Sequence, residues 1–109
     1  MATTYKVLGQ SAPAAVTPAD LYTVPALTAS VASSVIVCNR SATADSFRIS
    51  ISVGGGATAN QDYIYYDVAI PGNDTFIATV GITLATTDVV RCYATNGTLS
   101  FSLYGSEIT

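Results

Sequence analysis

The chain contains no histidine and only seven acids, so any acid–base chemistry would fall to carboxylates alone. Those acids are Asp20, Asp45, Asp62, Asp67, Asp74, Asp88 and Glu107, mostly in turn-like stretches or at strand ends. An Asp in a turn ordinarily bonds its own backbone, which is the expectation for Asp45, Asp74 and Asp88. Asp62 and Asp67 flank a tyrosine-rich run at i and i+5, on opposite faces of a strand, and so form no facing pair. Cys38 and Cys92 stand alone, with no histidine or nearby second thiol to complete a metal site. They read as two buried free thiols, with a disulfide pinning two sheets as the sharper alternative. Gly54-Gly55-Gly56 leads into Ala57-Thr58-Ala59 with no Lys-Ser/Thr behind it, so it is a loop tip and no phosphate cradle. No catalytic, cofactor-binding or metal-ligating residue is assigned, and no cofactor is expected.

One cluster could hold a partner. Tyr63, Tyr65 and Tyr66 crowd a single segment, and strand alternation puts Tyr63 and Tyr65 on one face, with Tyr66 on the other beside Ile64 and Val68. Tyrosine supplies rigid amphipathic area suited to subunit interfaces and to stacking on sugar rings. With Tyr5 and Tyr22 these three form the candidate interface or ligand surface.

The elements that must position them are strands. Apolar residues alternate with Ser, Thr and small residues from Tyr5 to Ile108, and no window carries a helical period. Tyr5–Gly9 begins the series. A stretch from Ser11 to Asp20 holding Pro13 and Pro18 reads as extended loop or arm. Leu21–Val24 follows, stopped by Pro25, and then the continuous run Val31–Cys38, as for a strand covered on both faces. Phe47, Ile49, Ile51 and Val53 should face a core, with Arg48, Ser50 and Ser52 turned to solvent or a neighbour. Tyr63–Val68 ends at the turn Pro71-Gly72-Asn73-Asp74. Thr75–Leu84 carries Gly81 as a bulge or bend, and Val89–Ala94 comes next. Asn96-Gly97 gives the strongest short hairpin signal before the closing strand, Thr98–Tyr104.

Such spacing predicts an all-β fold, an antiparallel β-sandwich of about eight strands, jelly-roll-like or immunoglobulin-like. Residues 1–20 would be an extended N-terminal arm with a short strand, and residues 21–109 the β-sandwich domain.

At 109 residues the chain makes one domain. Half of it is hydrophobic and only 10% is charged, against roughly 25% in an ordinary soluble protein. Lys6, Arg40, Arg48 and Arg91 are its only cations, scattered singly. That excludes a clustered phosphate-binding patch for nucleic acid and a basic helix for a membrane surface. No apolar run approaches the ~20 residues of a membrane-spanning helix. The opening Met1–Lys6 lacks the features of a signal peptide, so synthesis in a cytoplasm is expected. A β-protein so short of charge has little defence against self-association and reads as an assembly component and not an enzyme.

The opening Tyr5–Pro13, Leu21-Tyr22-Thr23-Val24-Pro25, the run Val35–Ser41, Tyr65-Tyr66-Asp67, Asn73-Asp74-Thr75 and the ending Gly105–Thr109, in that order, resemble small structural proteins of tailed bacteriophages. The resemblance implies a non-enzymatic virion protein made in a host bacterial cytoplasm. It would be a homo-oligomer, a trimer being one form, that decorates or cements a capsid or forms part of a tail, neck or fibre. Its partners would be other virion proteins, major capsid or tail proteins, with no nucleic acid and no membrane. A receptor- or glycan-binding module of a phage appendage is the competing expectation, with Tyr63, Tyr65 and the loop 54–60 as its site.

Overall fold

In a computed structural model, which describes residues 2–109, eight strands account for most of the chain. They are β1 (Thr3–Ser11), β2 (Ala19–Thr23), β3 (Ala29–Asn39), β4 (Asp45–Ser52), β5 (Tyr63–Ile70), β6 (Thr75–Leu84), β7 (Val89–Ala94) and β8 (Leu99–Ile108). Sheet A has the order β1-β8-β3-β6 and sheet B the order β2-β7-β4-β5, antiparallel throughout. β1 pairs with β8, β2 with β7, β3 with β6 and β4 with β5, so the pairs nest inside one another. A chain paired end to end in this way and rolled into two sheets is a jelly roll. Of the two sandwich types that the strand pattern left open, the connectivity selects this one.

The core is filled by alternate residues of both sheets. Phe47 of β4 lies 5.1 Å from Phe76 of β6 and 6.0 Å from Phe101 of β8, measured between ring centroids. Leu99, Leu103, Val35, Val37, Val90 and Ile49 close around this aromatic centre. Burying each such side chain contributes about 1.5–3 kcal/mol, which is what holds the layers together. The expected core positions Phe47 and Ile49 of β4 and Leu99, Phe101 and Leu103 of β8 all point inward.

Departures from the sequence expectation have local causes. Val53 leaves the core face and is 80% exposed, because the chain turns there through a 3-10 turn with Gly54 and Gly55 at positive φ. Ser50 and Ser52 are buried, because the segment 53–62 folds back across them. β3 alternates, with Val35 and Val37 inward and Ile36 and Cys38 partly exposed on the outer side. Cys38 is therefore half-buried where full burial was expected, while Cys92 is buried; both are free thiols. Burial pushes the Cys92 thiol up to about 11. Asn96-Gly97 forms no hairpin, since β7 and β8 lie in different sheets. The pair makes an inter-sheet corner held by Asp45, whose carboxylate accepts the Asn96 and Thr98 N–H groups and the Thr98 hydroxyl.

Residues 2–20 lie along their own sandwich. β1 runs nine residues and pairs with β8. The proline-bearing stretch then crosses to sheet B, where Val16 donates its N–H to Ala94.

Candidate functional site

The tyrosine strand β5 does not alternate as a regular strand would. Its register against β4 shifts twice, so that Ile49 faces Tyr65 while Ser50 faces Tyr63. Asp67 adopts φ +51 at the second irregularity. A bulge reverses the side to which the following residues point. Tyr65 accordingly enters the core, 6.0 Å from Phe47 and 5.4 Å from Phe76. Tyr63 and Tyr66 meet edge to face on the outer side, their centroids 4.9 Å apart. The expected pairing of Tyr63 with Tyr65 on one face is thus replaced by Tyr63 with Tyr66.

Around them the outer face of sheet B is a closed network. The Arg48 guanidinium lies 4.3 Å from the Tyr66 ring centroid and 4.5 Å from that of Tyr93. It donates to both carboxylate oxygens of Asp67, at 2.6 and 3.3 Å, and this hydrogen bonding to Asp67 raises the guanidinium pKa further. Arg91 donates to Asp20, Ser52, Thr58 and the carbonyls of Gly55 and Gly56, which pins the 53–62 segment onto the sheet. Between Arg48, Tyr63, Arg91 and Tyr93 remains a pocket of about 70 Å³, well below the roughly 300–1,000 Å³ of small-molecule sites.

The outer face of sheet A has the opposite character. The register aligns Tyr5, Ser106, Val31 and Thr83 in one row across the four strands. Val7, Tyr104, Ser34 and Thr79 form the next row, and Gln10, Ser102, Ile36 and Ile77 the third. None of these residues is charged. The four strands together contain two charged residues, Lys6 and Glu107, and those bond each other at 3.2 Å. Tyr5 is 84% exposed and Ile77 68%, with Val7 also exposed. Tyr5, Lys6, Val7, Val31 and Tyr104 line an open groove of about 550 Å³, with Lys6 the one charged residue at its wall.

The five tyrosines singled out from the sequence are therefore dispersed. Tyr5 stands on the outer face of sheet A, Tyr63 and Tyr66 on that of sheet B, and Tyr65 in the core. Tyr22 is buried, its hydroxyl 2.7 Å from Ser30 Oγ and donating to Glu107 at 2.6 Å. Burial, reinforced by the Glu107 contact, pushes the Tyr22 phenol up to about 12. The Tyr22 hydrogen bond, with Lys6 adding to it, holds the Glu107 carboxyl below the ordinary carboxylate range. Sequence reasoning missed Tyr104, Val7, Val31, Ile36 and Ile77 as one surface. Their common feature, outward positions without charge on four separate strands, becomes visible only once the strand order is known.

All seven acids are engaged in hydrogen bonds: Asp20 and Asp67 with arginines, Glu107 with Lys6 and Tyr22, and the rest with backbone N–H groups. Asp45 is pushed up by burial but more strongly lowered by its bonds to Asn96, Ser46 and Thr98, and so sits below the ordinary range. Among the described residues no group of three or more His, Cys, Asp or Glu side chains converges as a metal site. Among the same residues no helix is long and apolar enough to cross a membrane. Comparison with protein-family models, with curated proteins and with solved structures finds no match to the chain.

Proposed function

We propose that this chain is a non-catalytic structural subunit that works in many copies, a bacteriophage virion protein mounted through the outer face of sheet A. Its place would be as a capsid decoration or cement protein, or in a tail, neck or fibre. One observation carries the assembly reading: a four-stranded face whose three outward rows carry no charged residue, presenting Tyr5, Val7 and Ile77 to solvent. Charged side chains are the usual protection of exposed sheets, and their depletion marks the core of an interface. The virion setting rests on the sequence resemblance. The jelly roll, an architecture used by viral capsid and lectin domains, supports it by analogy only. The non-catalytic reading draws on seven acids already committed to hydrogen bonds and a chain without histidine.

The glycan-binding alternative has less behind it. Arg48 already occupies a face of both Tyr66 and Tyr93, and Tyr65 packs its ring against Phe47 and Phe76.

Hydroxyl-radical footprinting of dilute and concentrated protein tests the assembly reading. Tyr5 and Tyr104 should lose reactivity on concentration while Tyr66 keeps it; protection of Tyr66 in place of Tyr5 would overturn the assignment. The setting is tested by mass spectrometry of purified phage particles, in which peptides of this chain should be found at many copies per particle. Particles lacking them would refute it.

A further inference from the structure

Each sheet ends in two edge strands, and three of the four carry protection. β2 is five residues long, bears Asp20 and is flanked by Pro18 and Pro25. β5 is bulged twice and bears Asp67. β1 bears Lys6 and is bulged at Leu8. β6, Thr75–Leu84, runs ten residues with no charge and no proline, its register against β3 shifting only near Gly81. A long uncharged edge is the kind that recruits another strand.

The open side of β6 can be assigned. The Asn39 N–H donates to the Asp74 carbonyl at 2.9 Å, so 39 and 74 form a hydrogen-bonded pair. By antiparallel alternation Phe76 and Ala78 also turn their backbone groups toward β3. Ile77 and Thr79 then direct their N–H and C=O groups to the unpaired edge.

We infer that β6 pairs antiparallel with β6 of a second copy about a two-fold axis, joining two A sheets into one eight-stranded sheet. The occupant follows from charge. Around a two-fold axis each strand meets itself, and like charges brought opposite are unfavourable. Self-pairing of β2, β5 or β1 would bring Asp20, Asp67 or Lys6 toward its own copy; β6 brings none. Area points the same way. For four strands of nine to eleven residues, strand spacing of ~4.8 Å and a same-face repeat of ~6.8 Å give the outer face of one sheet A roughly 650 Å². That is short of the ~800 Å² per partner of a standard interface, and joining two faces brings the surface to about 1,300 Å². This inference deepens the self-assembling reading and rests on it.

The test compares two variants by sedimentation equilibrium, with amide exchange as a second readout. Thr79→Pro removes one N–H at the open edge, where proline is tolerated, and leaves the face uncharged. Val7→Lys charges the face far from that edge. The expected results are a pair that survives Val7→Lys and is weakened at least tenfold by Thr79→Pro. In the wild type the Ile77 and Thr79 amides should exchange at least tenfold more slowly when concentrated than when dilute. Wild-type mass retained by Thr79→Pro, with those two amides unprotected, would overturn the edge pairing and leave face assembly standing. Loss of the pair in Thr79→Pro with the full assembly retained in Val7→Lys would do the reverse. A wild type that stays monomeric at every concentration would overturn both.

Discussion

The two outer faces of the sandwich solve the problem of an exposed sheet in opposite ways. On sheet B, the face is covered by its own chain: Arg91 ties the 53–62 segment over Ser50 and Ser52, and Arg48 sits between two tyrosine rings and a carboxylate. On sheet A the rows running from Tyr5, Val7 and Gln10 to Thr83, Thr79 and Ile77 hold no charged residue, and Tyr5, Val7 and Ile77 stand exposed. Polar groups satisfied within the molecule leave little for a partner to gain. An uncharged face left bare is where association releases the most water from apolar surface.

The contrast can be broken experimentally from either side. The largest expected effect is Arg91→Ala, which strands several buried or half-buried acceptors and frees the 53–62 segment. It should cost about 2–3 kcal/mol of stability by denaturant unfolding, with the association of the folded fraction unchanged.

Acid should come next. The folded-state pKa values of Asp45 and Glu107 are depressed, so their contribution is fully present above the unfolded values near 4 and is lost as pH falls through the folded ones. Melting temperature should hold from about pH 7 to 5 and fall below about pH 4, and Glu107→Gln should reduce that fall. At the alkaline end Tyr22 is raised from 10.0 to about 12, so its contribution is present below pH 10 and lost between those values. Association through a charge-free face should follow neither trend while the protein stays folded.

Tyr5→Ser, at a side chain 84% exposed, should leave stability within about 0.5 kcal/mol and weaken association about tenfold, or about 1.4 kcal/mol. The smallest effect belongs to Arg48→Lys, which keeps the charge but loses the two-pronged contact with Asp67 and the ring stacking. A loss of less than about 1 kcal/mol is expected by thermal unfolding, with association untouched.

Much of the architecture was legible because period-two alternation is a direct record of burial: Phe47 and Ile49, or Leu99, Phe101 and Leu103, need no structure to be placed inside. Where a residue was misplaced, an irregularity had interrupted the period. The register shifts of β5 part Tyr63 from Tyr65 and bring it beside Tyr66, and nothing in Tyr-Ile-Tyr-Tyr-Asp announces them. Asn96-Gly97 turns the chain as its composition demands, but a local turn does not specify whether the next strand stays in the sheet or crosses to the other. The candidate surface was the least legible part. Val7, Tyr104, Ser34 and Thr79 are distant in sequence and become neighbours only through the nested pairing of β1 with β8 and β3 with β6.

The central claim, that the bare face of sheet A binds copies of this chain, is tested most directly by sedimentation equilibrium of wild type and Val7→Lys at matched concentrations. Folding of both would be verified by their melting curves. The expected result is a wild-type multimer larger than a pair that grows with concentration and is barely altered by salt, with association beyond the pair at least tenfold weaker in Val7→Lys. Identical association in the two proteins, or a wild type that never leaves the monomer, would contradict it.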